Sequence, residues 1–148
     1  FTDYALQHGA RKVYAVDVGT DQLHSALRGD KRIELHEKTD IRHFTPRQTP
    51  DIVVIDVSFI SLRDILPHVA KLSHPQTQIV AMVKPQFEAG REEVGKGGVV
   101  RDPEVHKRVC DEVQQWLVEK NWTIRGLATS PITGPQGNVE FLIWAQNA

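Results

Sequence analysis

The chain has 148 residues, of which 40% are hydrophobic and 25% are charged, and its formal net charge is −1. This length and composition predict a single globular domain with a sizeable core, and they exclude a disordered chain. The apolar stretches are far shorter than the roughly 20 residues of a membrane-spanning helix, so direct membrane insertion is not expected. The near-neutral charge excludes a stand-alone nucleic-acid binder that relies on a basic surface. The single cysteine, Cys110, has no partner for an internal disulfide, which favours a reducing compartment and a cytoplasmic location.

Hydrophobic periodicity divides the chain into alternating helices and strands. In chain order we predict helix 1–9, strand 13–18, helix 22–27, strand 32–36, strand 51–57, helix 61–72, strand 78–83, a helix from 102 to 117, strand 122–128 and strand 139–145. The runs 51–57 and 78–83 are almost entirely apolar, which is typical of strands covered on both faces. The alternation predicts an open α/β sheet of mainly parallel strands, with helices on both faces.

Charged side chains lie at the ends of several predicted strands. Asp17 and Asp56 lie at the carboxyl ends of two strands, and Lys84 directly follows a third. Open α/β sheets bind their ligands beyond these ends. One strand-helix-strand unit separates Asp56 from Lys84, so we expect the two side chains to be close together, and Glu140 joins them if the last strand is antiparallel. Because an unpaired charge at the edge of a core costs free energy, the three charges indicate a site, with a purely structural salt bridge as the alternative.

Four motifs, in the same order along the chain, resemble those of the TlyA family. They are DVSFISL at residues 56–62, VKPQFEAG at 83–90, GVVRDPEVH at 98–106 and GNVEFL at 137–142. TlyA proteins are bacterial, are often labelled haemolysins, and have a core similar to the FtsJ-type ribosomal-RNA 2′-O-methyltransferases. The resemblance covers essentially the whole chain. It implies an FtsJ-like methyltransferase domain over residues 1–148, with a Rossmann-like S-adenosylmethionine-dependent methyltransferase fold whose mostly parallel sheet has an antiparallel last strand.

The resemblance also implies an enzyme that methylates a ribose 2′-hydroxyl of ribosomal RNA with S-adenosylmethionine, so that ribosomal RNA or ribosomal subunits are its partners. The family uses a Lys-Asp-Lys-Glu tetrad, and Asp56, Lys84 and Glu140 match its last three members as catalytic residues. We expect Lys84 to bind the hydroxyl and to help deprotonate it, while Asp56 and Glu140 orient the lysine. Because neighbouring carboxylates favour the charged form of a lysine, the proton route is left open.

Phe1-Thr2-Asp3 resembles residues that follow the glycine-rich cofactor loop in the family. Several parts of the family pattern therefore come before the point that Phe1 matches. They are the first central strand of the sheet, the glycine-rich cofactor loop, the first lysine of the tetrad and an S4-like RNA-binding domain. None of them has a counterpart in the printed sequence. Loss of a central strand leaves unpaired backbone groups, which cost free energy. We therefore expect the methyltransferase domain to be N-terminally incomplete, with further chain upstream.

Four residues are expected to bind the cofactor: Asp17, Asp40, Asp56 and Phe59. Asp17 ends the second strand of the family pattern, where an acid accepts hydrogen bonds from a cofactor ribose. Asp40 follows the third strand, close to the adenine position of such folds, and Phe59 borders the cofactor. The alternatives are ordinary surface acids at Asp17 and Asp40 and a core aromatic at Phe59.

Arg91, Lys96 and Arg101 lie in a polar, glycine-rich segment that follows the strand 78–83. Basic side chains provide many of the contacts to nucleic-acid phosphates, so these three are RNA-contact candidates. A solvated, flexible loop is the alternative. The seven histidines show no metal-ligand spacing, and no metal site is predicted.

Two other functions stay open at this point. Another nucleotide-cofactor enzyme, such as a dehydrogenase, is suggested by Asp17 at a strand end. A membrane-acting haemolysin or an interaction protein is suggested only by the family's label, and no strongly amphipathic segment supports it.

Overall fold

The computed structural model describes residues 1–147, which form two compact units. The first unit is Phe1–Gln48, and the second extends from Thr49 onward. Each unit contains a sheet of its own. Among the described residues, no helix is both long enough and apolar enough to cross a membrane.

The first unit contains one short helix and two parallel strands. These are α1 (Thr2–Gln7), β1 (Val13–Val16) and β2 (Ile33–His36). The two strands pair in register along their whole length. The predicted helix 22–27 is wrong, because only the 3₁₀ turn Ser25–Leu27 forms there. So short a segment does not repay the cost of helix nucleation, and the His24 ring instead accepts a hydrogen bond from the Ala26 backbone N–H.

The second unit is a four-stranded sheet with two main helices. Its elements are β3 (Ile52–Ile55), α2 (Leu62–Leu72), β4 (Gln78–Val83), α3 (Pro103–Glu119), β5 (Trp122–Thr129) and β6 (Phe141–Asn147). The strand order is β3-β4-β6-β5, with β3 parallel to β4 and β6 antiparallel to both of its neighbours. The prediction of an antiparallel last strand is confirmed. That strand begins at Phe141 rather than at 139, so Glu140 lies just before it.

Local sequence accounts for both helices of the second unit. Ser61 caps α2, because its Oγ accepts a hydrogen bond from the Arg63 backbone N–H at 3.1 Å. Asp102 caps α3, where Pro103 occupies the first turn. Each helix buries the apolar stripe that its periodicity predicts. The buried stripe residues are Leu62, Ile65, Leu66 and Val69 in α2 and Val105, Val109, Val113 and Leu117 in α3.

One face of the second sheet carries the core of this unit. Ile79, Ala81 and Val83 of β4 are fully buried, and α3 packs against β4, β5 and β6. Because successive strand residues point to opposite faces, alternate residues of β3 do not reach this core. Ile52 and Val54 are 58% and 40% exposed, so the prediction that 51–57 is covered on both faces is wrong for these two residues.

Candidate active site at the ends of β3 and β4

Asp56 and Lys84 meet directly beyond the carboxyl ends of β3 and β4. The parallel register pairs Ile55 with Ala81, so the two strands end at the same edge. Lys84 Nζ lies 2.6 Å from Asp56 Oδ1 and donates a hydrogen bond to Ser58 Oγ at 3.1 Å. The prediction that these two charges are close neighbours is confirmed.

The lysine of this pair is more buried than its carboxylate partner. The side chain of Lys84 is 12% exposed, against 46% for Asp56. An ammonium group has three N–H donors, and the contacts to Asp56 and Ser58 leave one of them for a ligand. A pair that is open to solvent on one side stabilises a fold by only about 0–1 kcal/mol. Its main effect is therefore to fix the position of the lysine charge.

Glu140 reaches the same edge from the antiparallel strand. Val83 pairs with Phe141, so the residue before β6 lies beside the residue after β4. Glu140 is only 5% exposed, and its Oε2 accepts a hydrogen bond from Gln86 Nε2 at 2.8 Å. Within residues 1–147, Glu140 forms no ion pair with Lys84. The three charges share an edge as predicted, but Glu140 has a neutral partner of its own.

A loop lies directly against the carboxyl group of Glu140. A Cβ atom added to Gly134 would lie 2.6 Å from Glu140 Cδ, so no side chain fits there without moving the carboxyl group. Main-chain hydrogen bonds hold the loop, from Ser130 N to Glu140 O at 2.8 Å and from Gly134 N to Asn138 O at 2.7 Å. The φ of Gly134 is −78°, which any residue adopts. The position therefore requires glycine for space rather than for backbone conformation.

Glu88 joins the loop after β4 to the start of α2. It is 9% exposed and accepts hydrogen bonds from Ser61 Oγ at 2.6 Å and from the Leu62 backbone N–H at 2.7 Å. Burial raises the pKa of the Glu88 carboxyl. The segments that follow Asp56 and Lys84 are thus fixed to each other by a second contact, beyond the ion pair.

Phe59 is an exposed aromatic side chain. It is 90% exposed, so the alternative interpretation as a core residue is wrong. Its φ is 64°, a backbone conformation that residues other than glycine rarely adopt. The ring contacts Phe87 at a centroid distance of 5.0 Å. It therefore lies in the segment after Asp56 with most of its surface open to solvent.

Asn138 attaches the glycine-rich loop that carries Arg91, Lys96 and Arg101 to the turn that precedes Glu140. This residue is 3% exposed, and its Oδ1 accepts a hydrogen bond from the Val100 backbone N–H at 3.0 Å. Its Nδ2 donates to the carbonyl oxygens of Gly98 at 2.9 Å and Pro135 at 3.1 Å. These bonds anchor a segment that was open to interpretation as a flexible loop. The basic candidates of this loop are all exposed: Arg91, Lys96 and Arg101.

In the first unit, Asp17 follows β1 and is exposed. Its Oδ1 accepts a hydrogen bond from the Gly19 backbone N–H at 2.8 Å, and the described residues offer its carboxylate no other hydrogen bond. Asp40 differs, because it accepts hydrogen bonds from the Arg42 backbone N–H at 2.8 Å and from Arg42 Nη2 at 2.6 Å. The Arg42 side chain holds the pKa of Asp40 well below its usual range. Asp17 is thus available to a ligand, whereas Asp40 is already engaged.

Four residues that shape the site were not predicted as site residues. These are Ser58, Gln86, Gly134 and Asn138. Ser58 and Gln86 each lie two positions after a predicted catalytic residue, and that spacing within the two motifs was a usable signal. Gly134 and Asn138 act through contacts with residues that are distant in the chain, so no local pattern indicates them.

Comparison with known proteins gives a consistent result. The profile of the FtsJ-like methyltransferases matches residues 1–147. Over 147 residues the chain is 50% identical to YqxC of Bacillus subtilis, which is named as an rRNA methyltransferase, and the match covers 97% of this chain and 52% of YqxC. It is 43% identical over 147 residues to the 16S/23S rRNA (cytidine-2'-O)-methyltransferase TlyA of Mycobacterium tuberculosis, covering 97% and 55%. The chain spans about half the length of the curated relatives it matches.

Solved structures agree with the sequence comparisons. A Streptococcus thermophilus protein named as a hemolysin has a TM-score of 0.94 at 46% identity, covering 100% of this chain and 55% of that one. The N-methyltransferase NodS of Bradyrhizobium japonicum WM9, in complex with S-adenosyl-L-homocysteine, has a TM-score of 0.59 at 15% identity, covering 92% and 66%. The likeness to NodS shows the fold alone. The predicted Rossmann-like methyltransferase fold is confirmed.

Proposed function

This chain belongs to the FtsJ-like methyltransferase family, as its resemblance to TlyA predicted, and we propose that it methylates a ribose 2′-hydroxyl of ribosomal RNA with S-adenosylmethionine. The observation that carries the proposal is the Lys84 ammonium group, held 2.6 Å from Asp56 at the same sheet edge as Glu140. These residues match the last three members of the family's tetrad, within a proposed methyltransferase domain over residues 1–148. The name of the TlyA relative supports ribosomal RNA as the substrate, and a cytoplasmic location belongs to the same proposal.

Lys84 has the central role in the proposed reaction. Methyl transfer would form a bond between the ribose oxygen and the methyl carbon, break the carbon–sulfur bond with its electron pair left on the sulfur, and release the hydroxyl proton to solvent water. The remaining N–H of Lys84 donates to the ribose oxygen and holds it in line with the methyl carbon. Its positive charge stabilises the negative charge that develops on that oxygen, so Lys84 assists deprotonation without accepting the proton itself. Asp56 orients the ammonium group through the contact at 2.6 Å.

S-adenosylmethionine, when bound, supplies an electrophilic methyl group on its sulfonium. Asp17 fits the ribose of this cofactor, because its exposed carboxylate has an oxygen without a hydrogen bond among residues 1–147. Phe59 offers an exposed ring, and Asp56 is a further exposed acceptor. Asp40 has to release Arg42 before it can contribute its carboxylate, which makes it the weakest of the four cofactor-binding candidates.

Arg91, Lys96 and Arg101 contact RNA phosphates in this proposal. All three are exposed, and Arg101 Nη2 donates to the Lys96 carbonyl oxygen at 3.2 Å, which leaves most of its five donors available. With a net charge of −1, the chain has little general attraction for RNA. Contacts from this one anchored loop therefore contribute a larger share of the affinity for RNA than they would on a basic surface.

Transfer of a labelled methyl group from S-adenosylmethionine to ribosomal subunits by the full-length protein, followed by mapping of the nucleotide, tests the proposal. Lys84→Ala should reduce transfer by about 100-fold or more while S-adenosylmethionine still binds. Lys107→Ala is the matched control and should stay active, because Lys107 forms a comparable ion pair with Asp111, at 2.8 Å, on the exposed surface of α3. Full activity of Lys84→Ala, or a preference for a nicotinamide dinucleotide, would overturn the proposal.

A further inference from the structure

The carboxylate of Glu140 depends on a single neutral donor. Glu140 is 5% exposed, and burial of a charged group costs free energy unless hydrogen bonds compensate. In the part of the chain that the structure describes, its carboxylate accepts one hydrogen bond, from Gln86 Nε2 to Oε2 at 2.8 Å. The amide of Gln86 is therefore the polar group that fixes this acid, and Glu140 Oε1 accepts no hydrogen bond from residues 1–147.

Gln86 occupies its position at a cost to stability. Its Oε1 is buried and accepts no hydrogen bond within residues 1–147. An unsatisfied buried carbonyl destabilises the folded state, and an apolar side chain of similar size avoids that cost. A glutamine is therefore favoured here only if the contact that its Nε2 makes is needed. That contact is the hydrogen bond to Glu140.

Packing confines the same carboxyl group from another direction. The main chain at Gly134 is so close that an added Cβ would lie 2.6 Å from Glu140 Cδ. The loop that carries Gly134 is bonded to the backbone of Glu140 through Ser130 N, at 2.8 Å. Two independent features, a hydrogen bond and a close packing contact, thus hold the Glu140 carboxyl group in one place.

We propose that Gln86 is a positioning residue for methyl transfer. Its amide holds Glu140 Oε2, so that Oε1 accepts a hydrogen bond from the 2′-hydroxyl group of the ribose substrate. The register of β4 and β6 places this acceptor at the same edge as Lys84, which supplies a donor to the same oxygen. This role rests on the function proposed above and adds a residue that acts through Glu140.

Methyl transfer by the full-length Gln86→Leu protein tests this role. We expect kcat with ribosomal subunits to fall about tenfold or more, because a displaced group beside the reacting atoms has an effect of at least that size. The KM for subunits and the Kd for S-adenosylmethionine should stay within about twofold, since the role of Gln86 is confined to Glu140. The urea midpoint of unfolding should fall modestly, because removal of the unsatisfied carbonyl offsets only part of the loss of the donor to the buried Glu140 carboxylate.

Gln115→Leu is the matched control. Gln115 Nε2 donates to Glu119 Oε1 at 3.1 Å on the exposed surface of α3, so the same type of amide-carboxylate contact is removed there. We expect its kcat to equal that of the wild type. If Gln86→Leu does not fold, Gln86→Met decides the question, because methionine has a similar length and adapts to irregular space.

Two results would overturn the role of Gln86. One is a wild-type kcat in a folded Gln86 variant. The other is a loss of kcat together with an equal loss of S-adenosylmethionine binding, because that combination is a general structural defect. In both cases the wild-type protein is active. Failure of the wild-type protein to methylate ribosomal subunits would instead overturn the proposed function itself, and this role with it.

Discussion

Two carboxylates at one edge of the second sheet are held in opposite ways. The side chain of Asp56 is 46% exposed and binds the cation of Lys84, whereas Glu140 is 5% exposed and binds the neutral amide of Gln86. A partly exposed ion pair contributes little stability, so its main effect is to fix the position of the lysine charge. A buried carboxylate with one neutral donor depends on that donor and on the packing around it. The site therefore combines an acid that is open to solvent with an acid that is enclosed.

The largest effect should come from the exposed acid. Asp56→Asn keeps the shape of the side chain but removes the negative charge 2.6 Å from Lys84 Nζ. Methyl transfer should fall about 100-fold or more, because the ammonium group loses the partner that orients it. The free energy of unfolding, measured in urea, should change by less than about 1 kcal/mol. Asp111→Asn, beside Lys107 on α3, should change neither quantity, and a large stability loss with intact activity in Asp56→Asn would contradict the comparison.

Gly134→Ala should have the next largest effect, because it displaces the buried acid. The new methyl group would lie 2.6 Å from Glu140 Cδ, so we expect kcat to fall about tenfold with little change in affinity for S-adenosylmethionine. Gly126→Ala is the control, since its methyl group would make only an ordinary contact with Trp144, at 3.8 Å. Equal activity in the two glycine variants would show that the position of Glu140 is not critical.

Glu88 extends the comparison to a second buried carboxylate with neutral donors. Glu88→Ala leaves the Leu62 N–H and the Ser61 hydroxyl without their acceptor, so we expect a destabilisation of about 1–3 kcal/mol in urea unfolding. Glu119→Ala, at the exposed end of α3, should stay within about 0.5 kcal/mol of the wild type. If the two variants are equally stable, the hydrogen bonds of Glu88 do not hold its loop.

The smallest effect is the pH dependence that Glu88 gives to stability. Burial raises its pKa in the folded chain above the unfolded value, so the folded chain binds this proton more tightly. The resulting stability is present below the unfolded pKa, about 4.3 for a glutamate, and is lost as pH rises through the folded pKa. In urea unfolding across this window, the stability of the wild type relative to Glu88→Gln should decrease as pH rises. An increase would mean that the hydrogen bonds to the charged carboxylate affect the pKa of Glu88 more than burial does.

The local sequence pattern was sufficient to predict which strand ends meet at this site. A strand, a helix and a second strand between Asp56 and Lys84 imply parallel neighbours, and the structure places these two charges in contact. The position of Glu140 needed one further premise, an antiparallel last strand, which came from the family resemblance. Where the pattern was short, as in 22–27, the predicted helix was wrong, because too few residues were available to form one.

The contacts that confine Glu140 could not be predicted in the same way. Gln86 and Glu140 are separated by 54 positions, and the importance of Gly134 follows from the absence of space beside it. Such features depend on how distant segments pack, which periodicity and propensity do not encode. Phe59 illustrates the same limit, because an aromatic residue next to a strand is compatible with a buried or an exposed position, and only the fold shows that it is exposed.

The hydrogen bonds of Asn138 affect which substitutions the attached loop can accept. Within residues 1–147, its side chain binds only main-chain atoms, those of Gly98, Val100 and Pro135. Main-chain groups are the same whatever side chain they carry, so substitutions at Lys96 or Arg101 leave this attachment intact. If Arg91, Lys96 and Arg101 contact RNA as proposed, those contacts can thus be changed by substitution without moving the acid two positions after Asn138.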